Sequence, residues 1–130
     1  MKKQLSLLFI IISLSAAVYA AKPASVQYIF PPDQSQLNSR AAEIILRPGD
    51  TIDEASLFPE LFQVRGEKSG EHSGRVVLST DDRTIIFKPH RLFHPEECVH
   101  VRLKDGLKLQ NGVTVASFDF SFNVSPLEQP

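Results

Sequence analysis

Apolar and polar residues alternate along several short segments of the chain, and this alternation is its dominant pattern. In "SFDFSFNV" the alternate apolar positions are Phe118, Phe120, Phe122 and Val124. In "CVHVRLK" they are Val99, Val101 and Leu103. Side chains at every second position of a strand share one face, so both segments are predicted to be strands with one buried face.

Turn residues divide the rest of the chain into similar pieces. "RVVLSTDDRTIIFKP" predicts two strands around a turn at 80–83, and "LKLQNGVTV" predicts a hairpin at Asn111-Gly112. "SVQYIF" predicts a strand that Pro31-Pro32 ends, "AEIILRPG" a strand that Pro48-Gly49 closes, and "LFQVRG" a third. The sequence therefore predicts an all-β fold of about seven strands, an antiparallel β-sandwich of two sheets.

One short helical segment is predicted between the early strands. In "DEASLFPEL", Asp53 suits an N-cap, Glu54 suits a first turn, and Pro59 limits the length. The segment is predicted to make a single helical turn.

The first twenty residues have the pattern of a signal peptide. Lys2 and Lys3 precede the apolar stretch "LSLLFIIISLSAAV", and "VYA" offers a cleavage point before Ala21. The apolar core is short for a membrane span of about 20 residues. We expect a signal peptide at 1–20, one domain at 21–125, and a tail or linker at 126–130, with no membrane span after cleavage.

Charge and cysteine content narrow the classes of function. Loss of Lys2 and Lys3 leaves 12 basic residues against 15 acidic ones, a formal net charge of −3. Nucleic-acid binding proteins favour a strongly basic surface, so no nucleic-acid partner is expected. Cys98 is the only cysteine and cannot form an internal disulfide, so packing must stabilise the exported domain.

Six segments occur in the order found in a known domain family. They are "IFPPDQSQL", "IILRPGDTIDEASL", "LFQVRG", "SGEHSGRVVLS", "FKPHRLFHPEECVHVRLKDGLKLQNG" and "FDFSF". From about Tyr28 to Val124 the chain thereby resembles the bacterial Ig-like domain of the surface-layer-protein type. That family usually has Gly at the position of Glu96, and Tyr at the position of Cys98 or Val99. The resemblance implies an Ig-like sandwich used as a spacer or as an N-terminal module of longer secreted proteins.

Small periplasmic copper carriers are also Ig-like sandwiches, and they resemble this chain in size and export. They bind copper with a histidine at the mature N-terminus, whereas the expected start "AKPASV" contains none. A periplasmic copper or zinc carrier of Ig-like fold is therefore kept as the alternative.

The segment "KPHRLFHPEECVH" contains three of the four histidines and the cysteine, and it raises the question of a metal site. His90 follows Pro89 and His94 precedes Pro95, so the two histidines are not expected to share a helix face. Cys98 and His100 share a strand face that is predicted to point outward. Two ligands do not make a zinc site unless a loop histidine or Glu97 folds back. A solvated strand and loop is the favoured interpretation.

Two further groups suggest chemistry but have simpler interpretations. In "SGEHSG", His72 lies between Ser69 and Ser73, which suggests a nucleophile and a base; a flexible hairpin loop is favoured because no orienting third residue is evident. Asp50, Asp53 and Glu54 are possible calcium ligands, but turn formation and capping are favoured. Cys98 is a candidate for an intermolecular disulfide or an inert thiol, which non-reducing electrophoresis of Cys98→Ser distinguishes.

These patterns predict an exported, non-catalytic Ig-like module with a structural, spacer or adhesion role at the bacterial surface or in the periplasm. No catalytic, cofactor-binding or metal-binding residue is assigned. The expected partner is a protein or glycan at the cell surface, or an adjacent domain.

Overall fold

The computed structural model describes residues 26–126, which form nine strands and two short 3-10 helices. The strands are β1 (Tyr28–Phe30), β2 (Ser35–Asn38), β3 (Ile44–Arg47), β4 (Phe62–Gly66), β5 (Gly70–His72), β6 (Gly74–Leu78), β7 (Ile85–Pro89), β8 (Cys98–Leu103) and β9 (Phe118–Val124). The helices are Glu54–Ser56 and Pro59–Leu61. Each segment predicted to be a strand contains one, apart from the hairpin predicted in "LKLQNGVTV", which contains none.

The strands form a sandwich of two sheets. The first has the order β1-β3-β7-β6 and the second the order β2-β9-β8-β4-β5, which places β8 in the middle of the second sheet. All pairs are antiparallel except β2 with β9, which is parallel. The predicted all-β sandwich is confirmed, with two more strands than expected and one parallel pair.

The two additional strands, β2 and β5, lie at the two edges of the second sheet. β2 has no apolar alternation, and its Leu37 is 73% exposed with a φ of 58°. β5 is three residues long and begins at Gly70. Such segments become strands because a neighbouring strand supplies hydrogen-bond partners for their backbone. The local sequence does not indicate that pairing.

The apolar faces meet between the sheets. Phe120, Phe122 and Val124 are buried, and Phe118 is half-buried against them. Phe62 and Phe87 stack from the two sheets with ring centroids 5.3 Å apart. The inward orientation predicted for the alternating phenylalanines is confirmed.

Turn and cap predictions are mostly confirmed. The Asp53 side chain accepts a hydrogen bond from the Ala55 backbone, as an N-cap does. Pro59 begins a second 3-10 helix, so the segment makes two short turns and not the single one predicted. Gly112 has a φ of 87°, as a turn after Asn111 requires, but the predicted hairpin ladder is reduced to one bridge between Lys108 and Thr114.

Two predicted segments lie outside the described residues: the signal peptide at 1–20 and all but Pro126 of the tail. Within residues 26–126, no helix has the length and apolar character needed to cross a membrane.

Candidate functional site

Glu97 is a carboxylate in the interior of the domain, with 1% of its surface exposed. Its Oε1 accepts hydrogen bonds from the backbone N–H groups of Lys68 and Ser69, both at 3.0 Å. The Ser69 hydroxyl lies 2.7 Å from its Oε2, which also accepts from the His94 backbone N–H. Glu97 therefore joins the 66–70 turn to the loop before β8.

A glycine is required beside this carboxylate. A Cβ atom at Gly66 would lie 2.1 Å from Glu97 Oε1, well inside van der Waals contact. The close approach of the turn backbone to the carboxylate depends on the missing side chain at this position.

Ser69 and His72 lie together, as the nucleophile-and-base interpretation requires, with Ser69 Oγ 2.6 Å from His72 Nε2. His72 is 4% exposed, and its ring packs on Phe93 with centroids 4.5 Å apart. The prediction of a flexible hairpin loop for this segment is wrong, because 70–72 forms the edge strand β5 and His72 is buried. Ser73 is exposed and lies outside the cluster.

The proton positions in this cluster follow from the donors that are present. A serine hydroxyl has one proton, and an ionised carboxylate only accepts hydrogen bonds. Ser69 therefore donates to Glu97 and accepts from His72 Nε2–H. This assignment leaves His72 Nδ1 unprotonated, and Nδ1 is buried without a hydrogen-bond partner.

The pKa values of both titratable groups are lowered. Burial alone raises the pKa of Glu97, but hydrogen bonds from Ser69, His94 and Lys68 outweigh burial and lower the pKa below 4.5. Burial and the Arg91 charge lower the pKa of His72 below 6.5, against the smaller opposing effect of the Glu97 charge. The folded state therefore favours ionised Glu97 and neutral His72.

Acidification is expected to destabilise the domain in two steps. The unfolded chain binds a proton at His72 below about pH 6.5 and at Glu97 below about pH 4.5, before the folded chain does, so the free energy of unfolding falls with pH. Urea denaturation at pH 7.5, 5.5 and 4.0 measures this fall. In His72→Gln the loss between pH 7.5 and 5.5 is expected to be smaller. Stability that is constant or rises on acidification would contradict the assignment.

A second group of polar residues lies on the outer face of the five-stranded sheet. As predicted, Cys98 and His100 share this face, Cys98 half-buried and His100 exposed. The residue beside them is Glu67, and neither Glu97 nor a loop histidine joins them; His100 Nε2 lies 3.0 Å from Glu67 Oε1. Burial and the charge of Glu67 raise the pKa of the Cys98 thiol. Sequence patterns missed Glu67 because strand pairing, not spacing, places it there.

A shallow depression of about 480 Å³ lies next to this group. Its charged and polar lining consists of Asp33, Gln34, Gln63, Arg65, His100, Arg102, Asp119 and Ser121. Arg102 and Asp119 pair across β8 and β9 through contacts of 2.7 and 3.2 Å, which lower the pKa of Asp119. The face thus presents both signs of charge together with hydrogen-bonding groups.

The aspartates considered as calcium ligands accept hydrogen bonds that stabilise turns and cap a helix. Asp50 accepts from the Thr51 backbone at 2.7 Å and from Asn111 Nδ2 at 3.1 Å, and Asp53 caps the first 3-10 helix. Asp81, in the 80–83 turn, accepts from Ser79 and from the Arg83 backbone, and these bonds lower its pKa to about 2. These bonds agree with the favoured interpretation of turn formation and capping.

The sequence matches no protein-family model, and no curated protein is significantly similar to it. Solved structures do share the fold. Domains 1–6 of the surface layer protein SbsC align with a TM-score of 0.59 at 14% identity, over 79% of this chain and 14% of that protein. PcoC, a copper resistance protein from Escherichia coli, aligns with a TM-score of 0.61 at 13% identity, over 77% of this chain and 98% of PcoC.

CopC from Methylosinus trichosporium OB3b aligns with a TM-score of 0.54 at 15% identity, over 81% of this chain and 96% of CopC. The chain thus spans a small part of the surface layer protein and nearly the whole of PcoC and CopC. At these identities the likeness establishes a shared β-sandwich.

Proposed function

We propose that the chain is an exported, non-catalytic Ig-like module with a structural or binding role at the bacterial surface or in the periplasm. The observation that carries the proposal is the two-sheet sandwich, which is similar both to domains of a surface layer protein and to PcoC and CopC, two proteins of comparable size. The signal-peptide pattern at 1–20 agrees with export.

The hydrogen bonds of Ser69 support a non-catalytic role. A serine nucleophile needs a base that takes its proton, and the base is in turn oriented by a third group. With Glu97 ionised, the single Ser69 proton is assigned to the carboxylate, so His72 Nε2–H is the donor to the serine and not the base that takes its proton. Glu97 also receives backbone bonds from both segments that it joins. This cluster has the arrangement of a structural network.

The outer face of the five-stranded sheet is the proposed binding surface. Arg65, His100 and Ser121 lie side by side on β4, β8 and β9, because strand pairing aligns them. The depression beside them combines cationic, anionic and neutral hydrogen-bonding groups. The proposed partner is a protein or glycan that pairs with these charged and hydrogen-bonding groups.

Export and envelope binding can be tested on the full chain. Fractionation of bacteria that produce it is expected to place the protein, shortened at its N-terminus, outside the cytoplasm. Purified protein is then expected to co-sediment with isolated cell envelopes, and Arg65→Glu is expected to weaken that binding at least about tenfold, as reversal of one interface charge does. The measurement is the bound fraction against envelope concentration.

The matched control is Arg75→Glu, which reverses an exposed arginine on β6 of the other sheet. It is expected to bind as the unmodified protein does. Cytoplasmic retention would contradict the export proposal, and equal binding by both variants would contradict the choice of this face.

A further inference from the structure

Strand pairing brings three different metal-ligating side chains together on the outer face of the five-stranded sheet. Cys98 and His100 lie two positions apart on β8, and the Glu67 backbone N–H donates to the Cys98 carbonyl at 3.0 Å. The thiol sulfur, an imidazole nitrogen and a carboxylate oxygen of the three residues all lie within 4.8 Å of one another.

We propose that Glu67, Cys98 and His100 form a Zn²⁺ site. Zn²⁺ accepts thiolate, imidazole and carboxylate ligands in one site, often with three protein ligands and one open position. Ca²⁺ and Mg²⁺ prefer sites built from oxygen ligands, whereas this cluster offers a single carboxylate. Zn²⁺ also has no redox chemistry, so it is compatible with a bound thiolate.

The geometry is close to that of a tetrahedral site. Zn–S bonds of about 2.3 Å and Zn–N or Zn–O bonds of about 2.0–2.2 Å place ligand atoms roughly 3.3–3.8 Å apart. The separation of at most 4.8 Å closes to this value through rotation of side chains. Glu67 follows Gly66, the last residue of β4, so its side chain turns without breaking the strand ladder.

The surrounding sheet holds the other two ligands in position. β8 is the middle strand of its sheet, and the intervening Val99 and the following Val101 are buried. Ser121 lies opposite His100 on β9, on the same outer face of the sheet.

The open position of the bound ion would face the outside of the sheet, beside the depression that His100 helps to line. Water completes the tetrahedron in the isolated protein. Zinc binding goes beyond the proposed module role and does not depend on it. It departs from the sequence-based expectation of no metal site, because pairing of β4 with β8 brings in Glu67 from 33 positions before His100.

Metal binding is tested with the purified protein, reduced and then freed of reductant without air. Titration with Zn²⁺ against a colorimetric chelator is expected to show one ion per chain. Co²⁺, used as a spectroscopic probe, is expected to give the thiolate charge-transfer band and the strong visible absorption of tetrahedral coordination. Cys98→Ser abolishes the charge-transfer band. His100→Ala and Glu67→Gln each weaken Zn²⁺ binding at least about tenfold, since even outer partners of metal ligands contribute that much.

His90→Ala is the matched control, because it removes another exposed histidine outside the cluster. It is expected to leave Zn²⁺ affinity unchanged, and circular dichroism checks that every variant is folded. Absence of stoichiometric binding would overturn the site, as would retention of full affinity in His100→Ala or Glu67→Gln. Neither result bears on the fractionation and envelope-binding tests of the module role.

Discussion

Replacing Glu97 with alanine is expected to lower the free energy of unfolding by about 3–5 kcal/mol, the cost typical of disrupting a buried charged network. The carboxylate is 1% exposed and accepts from the backbones of Lys68, Ser69 and His94 and from the Ser69 hydroxyl. Its removal leaves these donors without their acceptor, and each donor that stays buried costs about 1–3 kcal/mol. Urea denaturation at pH 7.5 measures the change.

Glu96→Ala is the control for this prediction. Glu96 is the exposed neighbour and has a φ of 63°, which alanine and glutamate tolerate about equally poorly. Its replacement is expected to change the free energy of unfolding by less than about 0.5 kcal/mol. If Glu97→Ala were as mild as Glu96→Ala, the carboxylate would not hold the two segments together.

Replacing Phe93 with alanine is expected to cost about 3–5 kcal/mol, the usual cost of a large-to-small change at a buried phenylalanine. Phe93 lies in the loop before β8 but has no exposed surface. Its ring contacts His72 at 4.5 Å and the edge of Phe122 at 5.7 Å, measured between centroids. Its backbone N–H donates to the Arg40 carbonyl at 2.9 Å. The loop is therefore held by the packing of the Phe93 ring and by a backbone hydrogen bond.

Leu92→Ala provides the comparison, because Leu92 is the preceding residue in the same loop and is 54% exposed. Its replacement is expected to cost less than about 0.5 kcal/mol, as exposed substitutions usually do. Thermal unfolding gives an independent measure, with a loss of about 4–8 °C per kcal/mol for a domain of this size. Equal losses in the two variants would show that Phe93 does not pack in the core.

Most of the strands could be predicted from local sequence, because a half-buried strand must place apolar residues at every second position. β8 and β9 are examples, and their inward residues are buried as expected apart from the half-buried Phe118. β5 could not be predicted in this way. It is short, and it exists because β4 offers it backbone partners.

The candidate sites were less predictable than the strands. Local patterns indicated that Cys98 and His100 share a face, and they raised Ser69 with His72 as a pair. They did not indicate that Glu97 is buried beneath the turn at 66–70, nor that Glu67 lies beside Cys98. Both contacts join segments about thirty positions apart, and no periodicity links residues at such a distance.

The sequence by itself determined the class of the fold, since alternation and turn residues act over a few positions and limit which segments form one-faced strands. Only the tertiary structure decided what the polar residues do. Pairing of β4 with β8 places Glu67 beside Cys98 and His100. Packing of the 90–97 loop against the sandwich buries Glu97, which then accepts from the Lys68 backbone. The physical reason is that a hydrogen bond or a metal ligand set depends on distance in space, and packing of the two sheets sets that distance.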